Sequence, residues 1–333
     1  MKRIFLNLLC VAFFCALLCG TVSSAQAATV IKLGLVTPPG SAQNITAEKF
    51  AELLHDRSAG KYEVKIFHSG SLGTETEILQ QVQMGAVEMA IVTLGPFDTF
   101  VPQVKVVSFP FLFRDYAQVD SVLYGPLGDE VLALLSRAGF QGLSFSENGF
   151  RNLTNDLRPV HSVADVKGLK IRVMESTLHK ELWRTLGANP TPMGWPIYSE
   201  LQQGTIDGQE NPLWVTWTSR LYEVQKYLSL TGHVYSAHID IANLGWYKNL
   251  PQDDQQLLRS CMKDASVYQR DWNRTQLADF LAKLKKAGMI VDEHPDVESF
   301  RSAVLPLKDL PMYQEPETKA LLEKFLAATQ SAS

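Results

Sequence analysis

Apolar residues recur along the chain in two alternating rhythms. VIKLGLV (30–36) and YEVKIF (62–67) are rich in β-formers, and the stretch between them sets Ile45, Phe50, Leu53 and Leu54 on one helix face, with Ser41 or Asn44 as cap and Gly60 as stop. HSGSLG then turns the chain into TETEILQQVQMG, a second helix with acids near its start and Gly85 at its end, and VEMAIV (87–92) reads as a third strand. Strand, helix, strand, helix, strand implies a parallel sheet covered by helices. The rhythm returns with different residues: FQGLSFS (140–146) and LKIRV (169–173) as strands, 176–187 as a helix, 195–204 as a shorter one, and TIDG opening a further strand. No exact repeat links the two series, so they predict two similar α/β units rather than a solenoid.

One element stands apart. Residues 252–287 contain no Gly or Pro, with Asp253 and Asp254 at the start and Lys283, Lys285 and Lys286 near the end, as the helix dipole favours. Such a helix would be on the order of 50 Å long at about 1.5 Å per residue. It either spans both units or is split by a kink.

The N-terminus changes the compartment. Lys2 and Arg3, an apolar run from Ile4 to about Val22, and Ala25-Gln26-Ala27 form the pattern of a secretory signal peptide cut after Ala27. No basic stop-transfer flank follows, and Leu18 directly before Cys19 makes a poor lipidation site. Cys10, Cys15 and Cys19 would leave with the leader, so Cys261 has no partner for an internal disulfide. Loss of Lys2 and Arg3 takes the formal charge from −4 to −6. A mildly acidic chain without a basic tract argues against a nucleic-acid partner.

Catalytic motifs are missing. There is no HExxH or CxxC to hold zinc, no GxGxxG or Walker loop, and no GxSxG elbow. The histidines are scattered; His233 and His238, five apart, fall in an expected loop-to-strand region. No enzyme activity, metal or cofactor is expected. What does stand out is Arg172 in LKIRV. A sheet covered on both faces is apolar on both, so a basic side chain there lies at a strand end or meets an anion. Guanidinium matches carboxylate with two parallel donors, and ligands of open α/β sheets bind outside the carboxyl ends of strands. Asn211, after TIDGQ, and Arg151, in ENGFRNLTN after the 140–146 strand, occupy similar positions.

The stretches FHSGSLGTETEILQQVQMGAVEMA, VVSFPFLF, ENGFRNLTN, DVKGLKIRV, LGANPTPM, ELQQGTIDGQENPL and LYEVQKYLSLTGH run through nearly the whole mature chain. In them the sequence resembles the substrate-binding proteins of tripartite ATP-independent periplasmic (TRAP) transporters, of the C4-dicarboxylate-binding (DctP) type. The resemblance implies an α/β fold: a two-lobed periplasmic binding protein with hinge crossings and a long helix spanning both lobes. Lobe one would be 28–149 with 237–276, and lobe two 150–236 with 277–333. It also implies a monomer in the periplasm that captures a small organic acid for small and large membrane subunits, with a C4-dicarboxylate as default. A sugar acid, an aromatic (indole-type) acid and a sensory role are the alternatives.

By the same resemblance Arg172 is the principal carboxylate-binding arginine, Arg151 a second one that either contacts ligand or braces the hinge, and Asn211 the amide beside them. Trp195 takes the aromatic position, and Glu210 is expected to be a structural partner. Thr93 falls where some sugar-acid binders carry an acid, which speaks against sialic acid. Trp214 and Trp217, three apart, would share a helix face beside Asn211, either as an aromatic wall to the ligand or as packing between lobes. Gln43, Asn148 and Gln209 are the candidates for holding ligand hydroxyls.

Overall fold

In the computed structural model, which describes residues 28–331, nine strands form one mixed sheet. The expected signal peptide, with Cys10, Cys15 and Cys19, lies outside the described residues. β1 (Thr29–Gly34), β2 (Tyr62–Phe67) and β3 (Met89–Thr93) make one parallel flank, in the order β2-β1-β3. β5 (Lys170–Val173), β6 (Asn189–Pro192) and β7 (Gly208–Asn211) make another, in the order β7-β5-β6. Between them run β8 (Tyr227–Asn243) and β4 (Phe140–Asn155), antiparallel to each other and to the flanks they join. β9 (Ile290–Asp292) pairs with one end of β8. This is the two-lobed α/β arrangement, with two long strands crossing between the lobes.

The parallel expectation therefore holds in each flank and fails at the centre. β4 continues nine residues beyond Ser146, so Arg151 lies within a strand rather than in a loop after it. β8 runs through the region expected to begin as a loop. The β4–β8 ladder shifts register between Gly142 and Ser144, Glu147 and Gly149, and Arg151 and Leu153. Each shift breaks the period-2 pattern that marks a strand. Gly149 adopts φ 116°, which a side-chain-bearing residue strongly resists.

Local signals placed the helices well. Ser41 accepts a hydrogen bond from the Asn44 amide and so caps the helix Ala42–Arg57. Thr74 and Glu77 form a capping box on the helix Glu75–Met84, which ends at left-handed Gly85. The helix Gln252–Lys286 is unbroken over 35 residues. It packs on the helix Ala42–Arg57, on β4, and on the helix Leu213–Thr218 that follows β7, so it spans both lobes as one continuous helix. The last helix, Pro316–Ser331, packs on residues 102–108 and 116–122.

β3 shows why a covered sheet reads as a continuous apolar run. Met89 and Ile91 join the core that contains Ile31 and Phe50, while Ala90 and Val92 join the core on the other face. Cys261, the free cysteine of the described residues, is fully buried beside Leu258 and Met262, and burial pushes its thiol pKa up.

Asp240 of β8 is buried beneath the long helix, where the Ser146 and Ser266 hydroxyls lie 2.8 and 2.9 Å from its two oxygens. Ser266 Oγ also lies 2.8 Å from the Met262 carbonyl, and its single hydrogen cannot serve both acceptors. A protonated Asp240 resolves this by donating to Ser266, and burial pushes its pKa from 3.8 to about 7. A raised folded-state pKa gives stability that is complete below the unfolded value and is lost as pH rises toward 7. Asp240→Asn carries no such titration. Its stability relative to wild type should grow between pH 4 and 7 and level off above, by about 4 kcal/mol. Urea unfolding at pH 5 and pH 8 tests this; equal differences at the two pH values would refute it.

Candidate functional site

The carboxyl ends of strands from both flanks face each other across a small cavity. One wall comes from the β1–β3 flank: Thr37 after β1, Gln43 and Glu75 from helix first turns, and Thr93 at the end of β3. The opposite wall carries Arg172 from β5, Met174, Trp195 and Asn211, with Trp214 and Val215 from the helix Leu213–Thr218. Asn148 and Arg151 of β4 and His238 of β8 form the floor.

The first wall is a hydrogen-bonded chain. Thr37 Oγ1 donates to Gln43 Oε1 (2.9 Å), Gln43 Nε2 to Glu75 Oε1 (3.2 Å), and the Thr93 amide to the same oxygen (2.6 Å). Burial raises the Glu75 pKa, with those donors and Arg172 pulling against it.

The second wall holds a cation without an ion-pair partner among the described residues. Arg172 is 4% exposed, and its Nε and Nη2 both donate to the Met193 carbonyl, at 2.9 and 2.5 Å. Its guanidinium lies 5.6 Å from the Trp195 ring centre. Burial first, then the positive charge of Arg151, lowers its pKa to about 10. Pairing of β5 with Thr191 of β6 and Gln209 of β7 fixes its backbone. Asn211 Nδ2 donates to Gln209 Oε1 (2.6 Å), and Gln209 Nε2 to Thr154 Oγ1 (2.8 Å), so Gln209 holds Asn211 in place.

Arg151 is 1% exposed and grips Glu210, itself fully buried: Nε to Oε2 at 2.5 Å, Nη2 to Oε1 at 3.0 Å, and Nη2 to the Glu210 carbonyl. His233 Nε2 lies 3.1 Å and His179 Nδ1 3.3 Å from the same carboxylate. Burial alone would raise the Glu210 pKa; Arg151 and the two imidazoles outweigh it and hold it well below the usual range. Glu210 is thus the structural partner expected of it. Arg151 Nη1, buried, has no hydrogen-bond partner.

The cavity brings together Arg172, Arg151, Asn211, Trp195, Thr93, Trp214, Gln43 and Asn148. Gln209 and Trp217 are outside its lining. Gln209 is fully buried behind Asn211, so it is a support rather than a hydroxyl-binding group. Trp217 does not share the cavity face with Trp214. It stacks on Tyr222 (centroids 4.9 Å apart, planes at 20°) with Lys283 over its ring, while Trp214 Nε1 donates to the Asn148 carbonyl at 2.7 Å. Sequence reading missed Glu75, Thr37 and His238. Glu75 looked like a helix-start acid only, and His238 lay in an expected loop-to-strand region with no motif to mark it. No group of three or more His, Cys, Asp or Glu among the described residues is placed to hold a metal.

Two α/β lobes, long crossing strands and a buried polar cleft at strand ends define a two-lobed solute-binding protein. The chain belongs to the DctP family of TRAP solute-binding proteins: the family described as bacterial extracellular solute-binding protein, family 7, matches residues 33–315. It is 35% identical over 294 residues to the 2,3-diketo-L-gulonate-binding periplasmic protein of Escherichia coli K12, covering 88% of this chain and 90% of that one. Among solved structures it is similar to a TRAP periplasmic solute-binding protein of Polaromonas sp. JS666 bound to D-erythronate (37% identity, TM-score 0.86, covering 90% and 98% of the two chains). It is also similar to the sugar acid binding protein of Advenella mimigardefordensis in complex with galactonate (32% identity, TM-score 0.87, covering 92% and 99%).

Proposed function

We propose that this protein is the extracytoplasmic solute-binding subunit of a TRAP transporter and that its cargo is a hydroxylated monocarboxylic acid of the sugar-acid class. Arg172 carries the reading. A guanidinium buried to 4% exposure without an ion-pair partner is costly unless an anion arrives, and its Nη1 has no protein hydrogen bond among the described residues.

The number of charges supports one carboxylate rather than two. Arg151 is committed to Glu210, which leaves Arg172 as the cavity cation without a carboxylate. A second ligand carboxylate would approach the Glu75 carboxyl group, whereas a hydroxyl there could donate to it. This moves the preference from the C4-dicarboxylate default to the sugar-acid alternative, the class to which the erythronate and galactonate of the related structures belong. With Trp217 outside the cavity, the case for an aromatic acid is weaker.

The role is capture rather than catalysis. After export and loss of residues 1–27, the lobes 28–149 with 237–276 and 150–236 with 277–333 would close over the acid. Closure removes water and so strengthens the ion pair. The closed form would then engage the membrane subunits.

A thermal-shift and calorimetry panel of D-erythronate, D-galactonate, D-glucuronate, succinate and indole-3-acetate tests the reading. At about 100-fold excess over Kd a bound acid stabilises the fold by about 2.7 kcal/mol, a rise of several degrees. We expect that rise with one or more hydroxy acids and none with succinate. Tighter binding of succinate or of the indole acid than of every hydroxy acid would overturn it.

A further inference from the structure

Three buried polar atoms in the cavity lining have no partner: Arg151 Nη1, Asn148 Oδ1 and His238 Nδ1. All three side chains come from the two central strands, where Ser146 pairs with His238 and Gly149 with Ser236 in the β4–β8 ladder. His238 also pairs with Thr93 of β3, another lining residue. Buried polar groups are almost always satisfied in folded proteins, so three orphans around one cavity mark a place where a ligand group completes the set.

We infer that His238 is a specificity-determining residue that, with Asn148 and Arg151, selects an acid carrying a hydroxyl near its carboxylate over the corresponding deoxy or oxo acid. The inference rests on the reading of this cleft as an acid-binding site.

The donors and acceptors are complementary to an alcohol. Arg151 Nη1 only donates and Asn148 Oδ1 only accepts. His238 is 1% exposed, and burial, with the charge of Arg151, lowers its pKa to about 3, so the ring is neutral with one donating and one accepting nitrogen. A hydroxyl both donates and accepts and can serve such a set. A carbonyl oxygen only accepts, which leaves Asn148 unanswered, and a methylene answers none of them.

The three groups are also held in place. Asn148 Nδ2 donates to Ser236 Oγ at 3.1 Å and its carbonyl accepts from Trp214 Nε1. The Trp214 ring packs against the His238 imidazole with centroids 6.0 Å apart. Arg151 is fixed by Glu210. The hydroxyl falls near the carboxylate because Arg151 and Arg172 line the same small cavity.

Calorimetry on the purified protein tests this with two sets of probes: D-erythronate against 3,4-dihydroxybutanoate, and D-gluconate against 2-deoxy-D-gluconate and 2-oxo-D-gluconate. We expect the deoxy and oxo acids to bind about tenfold more weakly or worse, since each leaves buried groups unpaired. In His238→Leu the hydroxy-to-deoxy ratio should fall by at least about threefold, with Arg151 and Asn148 keeping the remainder, and His238→Gln, which keeps a neutral donor and acceptor, should retain most of it. Melting curves establish that each variant is folded, and the wild-type ratios stand without any variant. Ratios within twofold in the wild-type protein, or an unchanged ratio in His238→Leu, would overturn the inference while leaving acid binding intact. Failure of every acid to bind would instead remove the acid-binding reading, and this inference with it.

Discussion

Arg172→Ala is expected to weaken binding of the best hydroxy acid by at least 100-fold while leaving the unliganded fold intact. Truncating one member of a buried, hydrogen-bonded charge pair costs about 2–5 kcal/mol, and about 2.7 kcal/mol is 100-fold. The stability expectation follows from the same side chain. Without ligand, Arg172 is a buried cation with two donors sharing one carbonyl, and burial disfavours its charged form. Its removal relieves that desolvation, so the unliganded variant should melt close to wild type. Arg172→Lys should recover little, because an ammonium lacks the planar two-donor match to carboxylate. Isothermal titration with the tightest acid of the panel, beside melting curves of the unliganded proteins, tests both halves. Affinity within threefold of wild type would remove Arg172 from the mechanism.

The largest effect on stability is expected at Glu210. Glu210→Gln leaves Arg151 with its charge buried and only neutral oxygens to meet it. Breaking a buried pair from one side costs about 3–5 kcal/mol, here a drop in melting temperature of roughly 10 °C. Replacing both Arg151 and Glu210 by Met should cost less than the sum of the single replacements, because no charge is then stranded. The pH dependence has a definite sign. Glu210 has a depressed pKa in the folded state, so its contribution is complete above the usual carboxylate value and is lost as pH falls through the folded one. The gap between wild type and Glu210→Gln should therefore narrow as the medium is acidified below about pH 4.5. A loss under about 1 kcal/mol at pH 7, well short of the buried-pair range, would mean that His179 and His233 sustain the hub alone.

The contrast between Arg151 and Arg172 explains how far the sequence could be read. Local signals sufficed wherever an element depends on its own residues: Ser41 and Thr74 as caps, Gly85 as a stop, and an uninterrupted run from Gln252. Strand-end reasoning found Arg172 and Asn211 because β5 and β7 are short and flanked by loops. It misplaced Arg151 because β4 and β8 bury polar residues in place of an apolar alternation. Glu147, Asn148, Arg151 and Asn152 are all under 9% exposed, and their partners are distant in sequence. Glu147 meets Arg274, and Arg151 meets Glu210. No window of a dozen residues contains such a pair. The same limit hid Glu75, which serves its helix N-terminus and the cavity at once.

Cys261 has a practical consequence. It is the free thiol of the described residues, it is fully buried, and its thiolate form is disfavoured by burial. Reagents that attack thiolates will leave it alone in the folded protein. Fluorescent or spin reporters can therefore be introduced in pairs on surface cysteines either side of the cleft, in an otherwise native background, and the interlobe distance followed as acid is added.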